Sequence, residues 1–470
     1  MKVLLRSTSV ATLAIVTAAC TTPAPVPLKD GDVPPAFTSP IAKDAPVWPT
    51  LDWWTTLNAP ELPPLETTAK EQNLDLLAAA ARVVQAQAQT GSAGSALFPN
   101  INATGNAERR GTNQKGVPGG NTQNTFGASA QASYELDLWG LNRDQFRAAE
   151  LSELAARYAQ QTVALTITAD VANTYLDVLA LRQRVTIAKN NIEAAQRILT
   201  ITEAKVTNGV TSNLELAQQK AQVAAEEASI PPLEEQEREA RYALAILLGR
   251  APEGFDVKSV NLDGIVTPVV QPGIPSNLLE RRPDIAQAEA QLRSQHANVD
   301  AARAAFFPQI NLSGSIGAMF DPTTMVWSIG ASLLQAVFDA GKLSSESDLQ
   351  KARQTELLVD YRKAVFSAFS DVETSMGQVS SLAEQERLVN EQGTNAAEAY
   401  RIAELQYREG VTDLLNVLQT QQTLFSAQDQ LVQIRLARLQ AGVGLYRALG
   451  GGWTVATDPN APLSVGFRPL

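Results

Sequence analysis

The chain has 470 residues, 44% hydrophobic and 19% charged, with a formal net charge of −11, one cysteine (Cys20) and one histidine (His296). So few thiols and imidazoles exclude a zinc site, a Cys–His nucleophilic pair and a disulfide framework, and no metal or cofactor is expected. An acidic balance without a basic block argues against nucleic acid, whose affinity comes largely from Lys and Arg displacing counterions.

At the amino terminus Lys2 and Arg6 precede an apolar stretch, Val10 to Val16, and Thr17-Ala18-Ala19 leads into Cys20. This is the pattern of a secretory signal peptide over residues 1–19. Nothing after Cys20 has the ~20 consecutive apolar residues of a transmembrane helix. If the chain crosses a membrane, it must do so as strands.

The remainder reads as a tandem duplication. Leu97-Phe98-Pro99-Asn100-Ile101 returns as Phe306-Phe307-Pro308-Gln309-Ile310, Asp137-Leu138-Trp139-Gly140 as Phe338-Asp339-Ala340-Gly341, and Gly209-Val210-Thr211 as Gly410-Val411-Thr412. All keep one order at an offset of roughly 200 residues. The expected organisation is an amino-terminal extension over 20–65, a first repeat over 66–275, a second over 276–453, and a tail over 454–470.

Residues 66–96 carry Leu74, Leu77, Ala81 and Val84 at helical spacings, and Pro99 ends the run. Alternation then takes over: Phe126, Ala128, Ala130, Ala132 and Tyr134 against Gly127, Ser129, Gln131, Ser133 and Glu135 is the clearest case, and Ile101, Ile310 and Trp327 begin similar runs. Four strands of about ten residues are predicted, the length of membrane-spanning β-strands. A Gly- and Asn-rich loop, Arg109 to Thr125, joins the first pair, and Asp321 to Met325 joins the second tightly. From Gly140 and Gly341 onwards, 141–207 and 342–408 read as helices of about 100 Å at 1.5 Å per residue. The first carries two stripes, Leu165, Ala169, Ala172, Leu176, Leu179 and Val171, Tyr175, Val178, Val185, so it has neighbours on both sides, as in a ring of helices. Each long helix turns at Asn208-Gly209 or Glu409-Gly410 and returns over 213–248 or 413–449. Pro231-Pro232 is expected to kink or restart the first return.

Alternation alone favours a soluble half-buried sheet, since the barrel signal is weak per segment. The export signal together with helices too long for a compact domain favours a barrel. Single-chain membrane barrels start at about eight strands, so four per chain require several chains. Two chains would give a filled interior and three a lumen.

The order of elements, the duplication, and the motifs Leu97-Phe98-Pro99, Glu135-Leu136-Asp137-Leu138-Trp139-Gly140, Arg281-Arg282-Pro283-Asp284, Phe306-Phe307-Pro308 and Leu449-Gly450-Gly451-Gly452-Trp453 resemble the outer-membrane efflux channels of the TolC superfamily, closest to the NodT/OprM lipoprotein branch. The resemblance covers nearly the whole mature chain. It implies a mixed α and β fold in a homotrimer: a 12-stranded transmembrane β-barrel continued by a long periplasmic α-helical coiled-coil barrel. It also implies an acylated Cys20 anchored in outer-membrane lipid, since Thr21 is not the aspartate that retains lipoproteins in the inner membrane. A periplasmic adaptor and an inner-membrane pump, of the RND type, are the implied partners.

The two helical turns are, by the same resemblance, the periplasmic tips. Asn208, Gly209, Val210, Arg408, Glu409, Gly410, Val411 and Asp413 are implied as adaptor contacts, and Leu415, Asn416 and Gln419 as the gate. Related channels often carry aspartates where Asn416 and Gln419 stand, which puts a carboxylate gate in doubt here.

Several motifs have structural readings. Pro283 with Asp284 behind it is helix-start chemistry. His296 has Asp300 as its only obvious carboxylate and reads as a surface residue. Glu135 and Asp137 read as lumen-facing charges, not catalytic carboxylates, and no enzymatic role is expected. Trp327 and Tyr134 are candidates for an aromatic membrane belt, whereas Phe98, Phe306 and Phe307 suit corner packing. The expected function is a passive efflux duct for small amphiphilic compounds such as drugs and toxins. The alternatives are the exit duct of a type I protein-secretion system and a periplasmic coiled-coil scaffold without a pore.

Overall fold

A computed structural model describes residues 28, 31–38, 48–112, 121–267, 270–320 and 323–453. The 1–19 segment, Cys20, the tip of the first loop and the 454–470 tail lie outside the described residues.

After a 3-10 turn at Trp53–Leu57 the elements run α1 (Leu62–Gln72), α2 (Leu74–Ser95), β1 (Asn100–Thr112), β2 (Asn121–Glu135), α3 (Leu141–Thr207) and α4 (Asn213–Leu247). The order is then restated as α5 (Pro275–Leu278), α6 (Pro283–Ala304), β3 (Gln309–Phe320), β4 (Thr323–Leu334), α7 (Lys342–Arg408) and α8 (Leu414–Ala448). The long helices α3 and α7 cover the expected spans, 67 residues each.

The expected single helix over 66–96 is in fact two. Asn73, with extended backbone, ends α1; its Oδ1 accepts from Leu76 N at 3.0 Å to cap α2, and its amide donates to the Leu247 carbonyl at 2.8 Å. The predicted stripe also differs in phase: Leu76, Ala79, Ala80 and Val83 are buried, while Leu74 and Val84 are exposed. Within the chain α2 packs on α3 alone among the long helices, so apolar residues on its other flank stay uncovered.

Pro231 and Pro232 do not restart α4, which is continuous through both. An internal proline costs ~3 kcal/mol or more in a free helix. Here both prolines are exposed, and α4 is held against α3 on either side of them, by Gln219 on the Ala195 carbonyl at 2.8 Å and by Arg182–Glu237 at 2.9 Å.

The sheet is antiparallel in the order β1-β2-β3-β4. Its strands have 12 to 15 residues, longer than expected, because they continue beyond the apolar band into polar ends such as Glu108 and Arg110, themselves ion-paired at 3.2 Å. The register carries one face through Ile101↔Ala132, Tyr134↔Leu312, Ile316↔Trp327 and Ile310↔Leu333. Trp327 is 71% and Ile329 83% exposed on that face. The other face pairs hydroxyls, Thr104 with Ser129 and Ser315 with Ser328, each at 2.8 Å. An apolar face with nothing over it and a polar face opposite is the barrel pattern. Among the described residues β1 and β4 each have an unpaired edge.

At the sheet-to-helix corner Trp139 stacks on Phe307 at 4.8 Å and donates to the Pro308 carbonyl at 2.8 Å. Asp137 is no lumenal charge. Its carboxylate caps α3, accepting from Asn142 N at 3.2 Å and Arg143 N at 2.9 Å, as Asp339 caps α7 through Gly341 N and Leu343 N. Four orphan N–H groups at a helix start require such acceptors.

Around α3 the helices form one curved layer. Near the sheet the order is α2, α3, α6, α7; beyond the middle it is α4, α3, α8, α7, because α2 and α4 both lie on α3 while α6 and α8 both lie between α3 and α7. The stripes predicted on α3 are buried at Ala169, Val171, Ala172, Tyr175, Leu176, Val178 and Leu179. This stretch has the length and composition of a membrane-crossing helix, yet over half of it is inside the core. That core joins the middle of α3 and α7 and the second half of α8 to an amino-terminal strap. Trp53 packs on Tyr446 at 5.1 Å, Asp32 pairs with Arg362 at 3.0 Å, and Thr38 N donates to Glu373 at 2.6 Å.

Candidate functional site

The two turns at the far end of the helices share one construction. Gly209 and Gly410 have φ of 69° and 76°, the left-handed conformation that costs glycine nothing. In each, the next residue's N–H reaches back five positions, Val210 to the Lys205 carbonyl and Val411 to the Gln406 carbonyl, both at 2.8 Å. This closes a Schellman motif and satisfies carbonyls the helix end leaves free. The chain then re-enters a helix under a side-chain cap, Ser212 for α4 and Asp413 for α8. Asn208, Gly209, Val210, Arg408, Glu409, Gly410, Val411 and Asp413 all lie exposed at this end.

Behind the turns a second apolar cluster ties the hairpins together: Ala194 and Ile198 of α3, Tyr400, Ala403 and Tyr407 of α7, and Leu414, Val417 and Phe425 of α8. Tyr407 is its polar centre. Its hydroxyl lies 3.1 Å from Thr202 Oγ1 on α3 and donates to Glu215 on α4 at 3.1 Å. Lys205 sits 3.9 Å over the Tyr407 ring and donates to the Tyr407 carbonyl. Burial first, and then the Glu215 charge, push the Tyr407 phenol up, so it stays a donor. Burial pushes the neighbouring Tyr400 up to about 12.

Leu415 and Gln419 stand one helical turn apart on the exposed face of α8, opposite the cluster, and Leu415 is 57% exposed. Asn416 is separated from them: its amide donates to Thr412 Oγ1 at 2.8 Å and its N–H takes the Asp413 cap at 3.1 Å. The sequence reading thus placed the turns but missed the Thr202–Tyr407–Glu215–Lys205 set. The usable signal was Tyr400 and Tyr407, seven apart on one helix face just before a turn.

Arg282 has the structural role expected for its motif. It caps the layer from within, binding Asp284 at 2.7 Å, Asp371 at 3.0 Å and the Ala448 carbonyl at 3.2 Å, and so joins α6, α7 and α8. His296 is exposed, 3.7 Å from Asp300. Among the described residues no group of three His, Cys, Asp or Glu could hold a metal ion.

A protein-family model described as outer membrane efflux protein matches residues 65–250 and 274–451. The chain belongs to this family of outer-membrane efflux channels. It is 42% identical over 413 residues to the pyoverdine export outer membrane protein OpmQ of Pseudomonas aeruginosa, covering 85% of this chain and 87% of that one. It is 38% identical over 450 residues to OpmQ of Pseudomonas putida, covering 93% and 95%. Among solved structures, the outer-membrane channel OprN superposes with a TM-score of 0.82 at 28% identity, over 92% of this chain and 100% of that one. The mixed, mostly helical architecture is therefore that of the TolC superfamily of outer-membrane channels.

Proposed function

We propose that the chain is one subunit of a homotrimeric duct in the outer membrane, passively conducting small amphiphilic compounds delivered by a periplasmic adaptor and an inner-membrane pump of the RND type. One observation carries this reading. The sheet and the helical layer are each incomplete in the same way, with two open edges, β1 and β4 above and α2/α4 and α7 below. Open strand edges do not survive in lipid, and three copies give twelve strands and a twelve-helix ring, closing both layers at once. Two copies would leave a barrel of eight strands whose interior side chains fill. The pyoverdine for which both relatives are named favours a small secreted compound over a protein as cargo.

Cys20 is the acylated amino terminus that anchors the subunit in outer-membrane lipid. The eight exposed residues of the two turns form the adaptor-contacting tip. Leu415 forms an apolar gate ring with Gln419 as a neutral polar ring beside it; Asn416, tied to Thr412, borders them. Planar-bilayer recording of the purified full chain, with its mass in detergent measured in parallel, tests the reading. A trimer with discrete conductance steps is expected. A monomer or dimer, or a trimer without conductance, overturns it in favour of a scaffold.

A further inference from the structure

Between α3, α7 and α8 lies a groove of about 860 Å³. On α7 its wall is Asp371, Thr374, Gln378 and Gln385, recurring at spacings of three, four and seven, hence one helix face. Arg362 and Glu373, which hold the amino-terminal strap, fall on the opposite face of α7. The same division holds on α8. Gln440, Gly444 and Arg447 line the groove, while Tyr446 points away to stack on Trp53 of the strap. The strap with its apolar core therefore occupies one side of the helical layer and the groove the other. A conducting lumen cannot be filled by that core, so the groove side is the inside of the ring. Gln419 lies roughly five helical turns before Ala437, on the same face as the groove.

The groove holds two guanidiniums in different states. Arg282 is saturated by Asp284, Asp371 and the Ala448 carbonyl. The Arg447 guanidinium is exposed and makes no hydrogen bond or ion pair among the described residues. Asp170, the carboxylate that senses Arg447, is itself shifted upward by burial, which Arg447 only partly offsets. Around them the wall mixes the hydroxyls and amides of Thr374, Gln378, Gln385 and Gln440 with apolar Leu165, Leu382 and Ala441; the Gln440 amide N–H donates to Asp177 at 2.8 Å and leaves its carbonyl to face the groove.

We propose that this groove is a lumenal waypoint for acidic, hydrogen-bonding solutes, in which Arg447 takes a carboxylate or phosphate group and Thr374, Gln378, Gln385 and Gln440 take the neutral polar groups. It rests on the trimeric-duct reading, which places three Arg447 side chains around one lumen. A weak, open site of this kind raises local solute concentration without trapping it.

The test is the reversal potential of the full-length trimer in a planar bilayer under a KCl gradient, together with current block by citrate, for wild type, Arg447→Gln and Arg447→Lys. Removing three lumenal charges should raise the K⁺/Cl⁻ permeability ratio about threefold, allowing for screening across the lumen. Citrate block should weaken in Arg447→Gln and be largely restored in Arg447→Lys. Equal permeability ratios and equal citrate block in wild type and Arg447→Gln would overturn the waypoint while leaving the duct intact. Absence of conductance in the wild type would instead overturn the duct and the waypoint with it.

Discussion

Leu414 and Leu415 are adjacent in sequence and opposite in circumstance, which makes them a controlled pair for the gate. Leu414 is 1% exposed, inside the cluster with Tyr400, Tyr407, Val417 and Phe425, whereas Leu415 is 57% exposed and packs against nothing in that cluster. Truncating a buried leucine removes both its transfer free energy and the fit of the surrounding side chains, a loss of ~2–5 kcal/mol. Truncating an exposed one on a helix changes stability by ~0.5 kcal/mol or less, and alanine is at least as good a helix former. Leu414→Ala should therefore lower the urea midpoint of the solubilised trimer clearly and Leu415→Ala hardly at all. If three Leu415 side chains form the constriction, the order reverses in conductance, because widening an apolar ring lets water and ions re-enter. Resting conductance should rise severalfold in Leu415→Ala, with increased leakage of bulky antibiotics into cells. A Leu415→Ala trimer destabilised as much as Leu414→Ala, with unchanged conductance, would show that Leu415 packs between subunits and would refute its assignment as the gate.

Four further outcomes are expected. Tyr407→Phe keeps the ring but deletes the bonds to Thr202 and Glu215, so opening events in single-channel records should become more frequent while the unfolding midpoint moves by no more than ~1–2 kcal/mol. Arg282→Ala removes the cation that Asp284 and Asp371 share and the donor on the Ala448 carbonyl and should cost ~1–3 kcal/mol in urea unfolding, the carboxylates being part-exposed, with Arg282→Lys recovering only part because it cannot fork between the two carboxylates. Asp137 is opposed by burial, but the N–H groups of Arg143 and Asn142 and the Arg143 guanidinium prevail and hold its carboxyl below the usual range. Its contribution, ~1 kcal/mol as a cap, is therefore present above the unfolded pKa of about 3.9 and lost as pH falls through the lower folded value. Stability curves of wild type and Asp137→Ala should be separated at neutral pH and approach each other in acid. Mass spectrometry of the mature amino terminus should find Cys20 acylated; an unmodified Cys20 or cleavage elsewhere refutes the anchor.

The parts of the fold that the sequence announced are those governed by local chemistry. The ends of α3 and α7 were legible because glycine, and a polar residue before it, mark helix termini whatever surrounds them. The strand faces were legible because a period of two survives any register. What was not legible depended on tertiary contact. Pro231-Pro232 looked like a break because nothing local reveals that α3 grips α4 on both sides of it. Asp137 looked like a lumenal charge because strand alternation, extrapolated two residues past Glu135, assigns it a face that the chain has already left. Leu74 and Val84 give the wrong phase for α2 because an edge helix carries apolar residues beyond the face that packs on α3, and these two stay exposed within the chain. At the tip, Thr202 and Glu215 are ordinary helix residues until the hairpins bring them to Tyr407.

A gate must be closed firmly enough to keep the membrane tight and weakly enough for a partner to open it. The contacts around Tyr407 meet both conditions. The hydroxyl contact with Thr202 contributes ~0.5–1.5 kcal/mol and the bonds to the Glu215 carboxylate and from the Lys205 ammonium ~1.5–3 kcal/mol each, with Lys205 also over the buried Tyr407 ring, so the set amounts to ~4 kcal/mol or more per chain. In the proposed trimer, three copies acting together would exceed the ~5.5 kcal/mol that separates an almost closed population from an almost open one. The same bonds lie within one helical turn or two of Asn208, Gly209, Glu409 and Gly410, whose side chains and backbone are exposed at the turns. A partner gripping those turns would part them only by binding the parted arrangement more tightly than the closed one, since equal affinity for both shifts nothing. The polar contacts at the centre of this apolar cluster are then the significant feature: water can replace each of those bonds as the hairpins separate, so only the apolar residues around them, Ile198, Leu414 and Val417 among them, lose contact without a substitute.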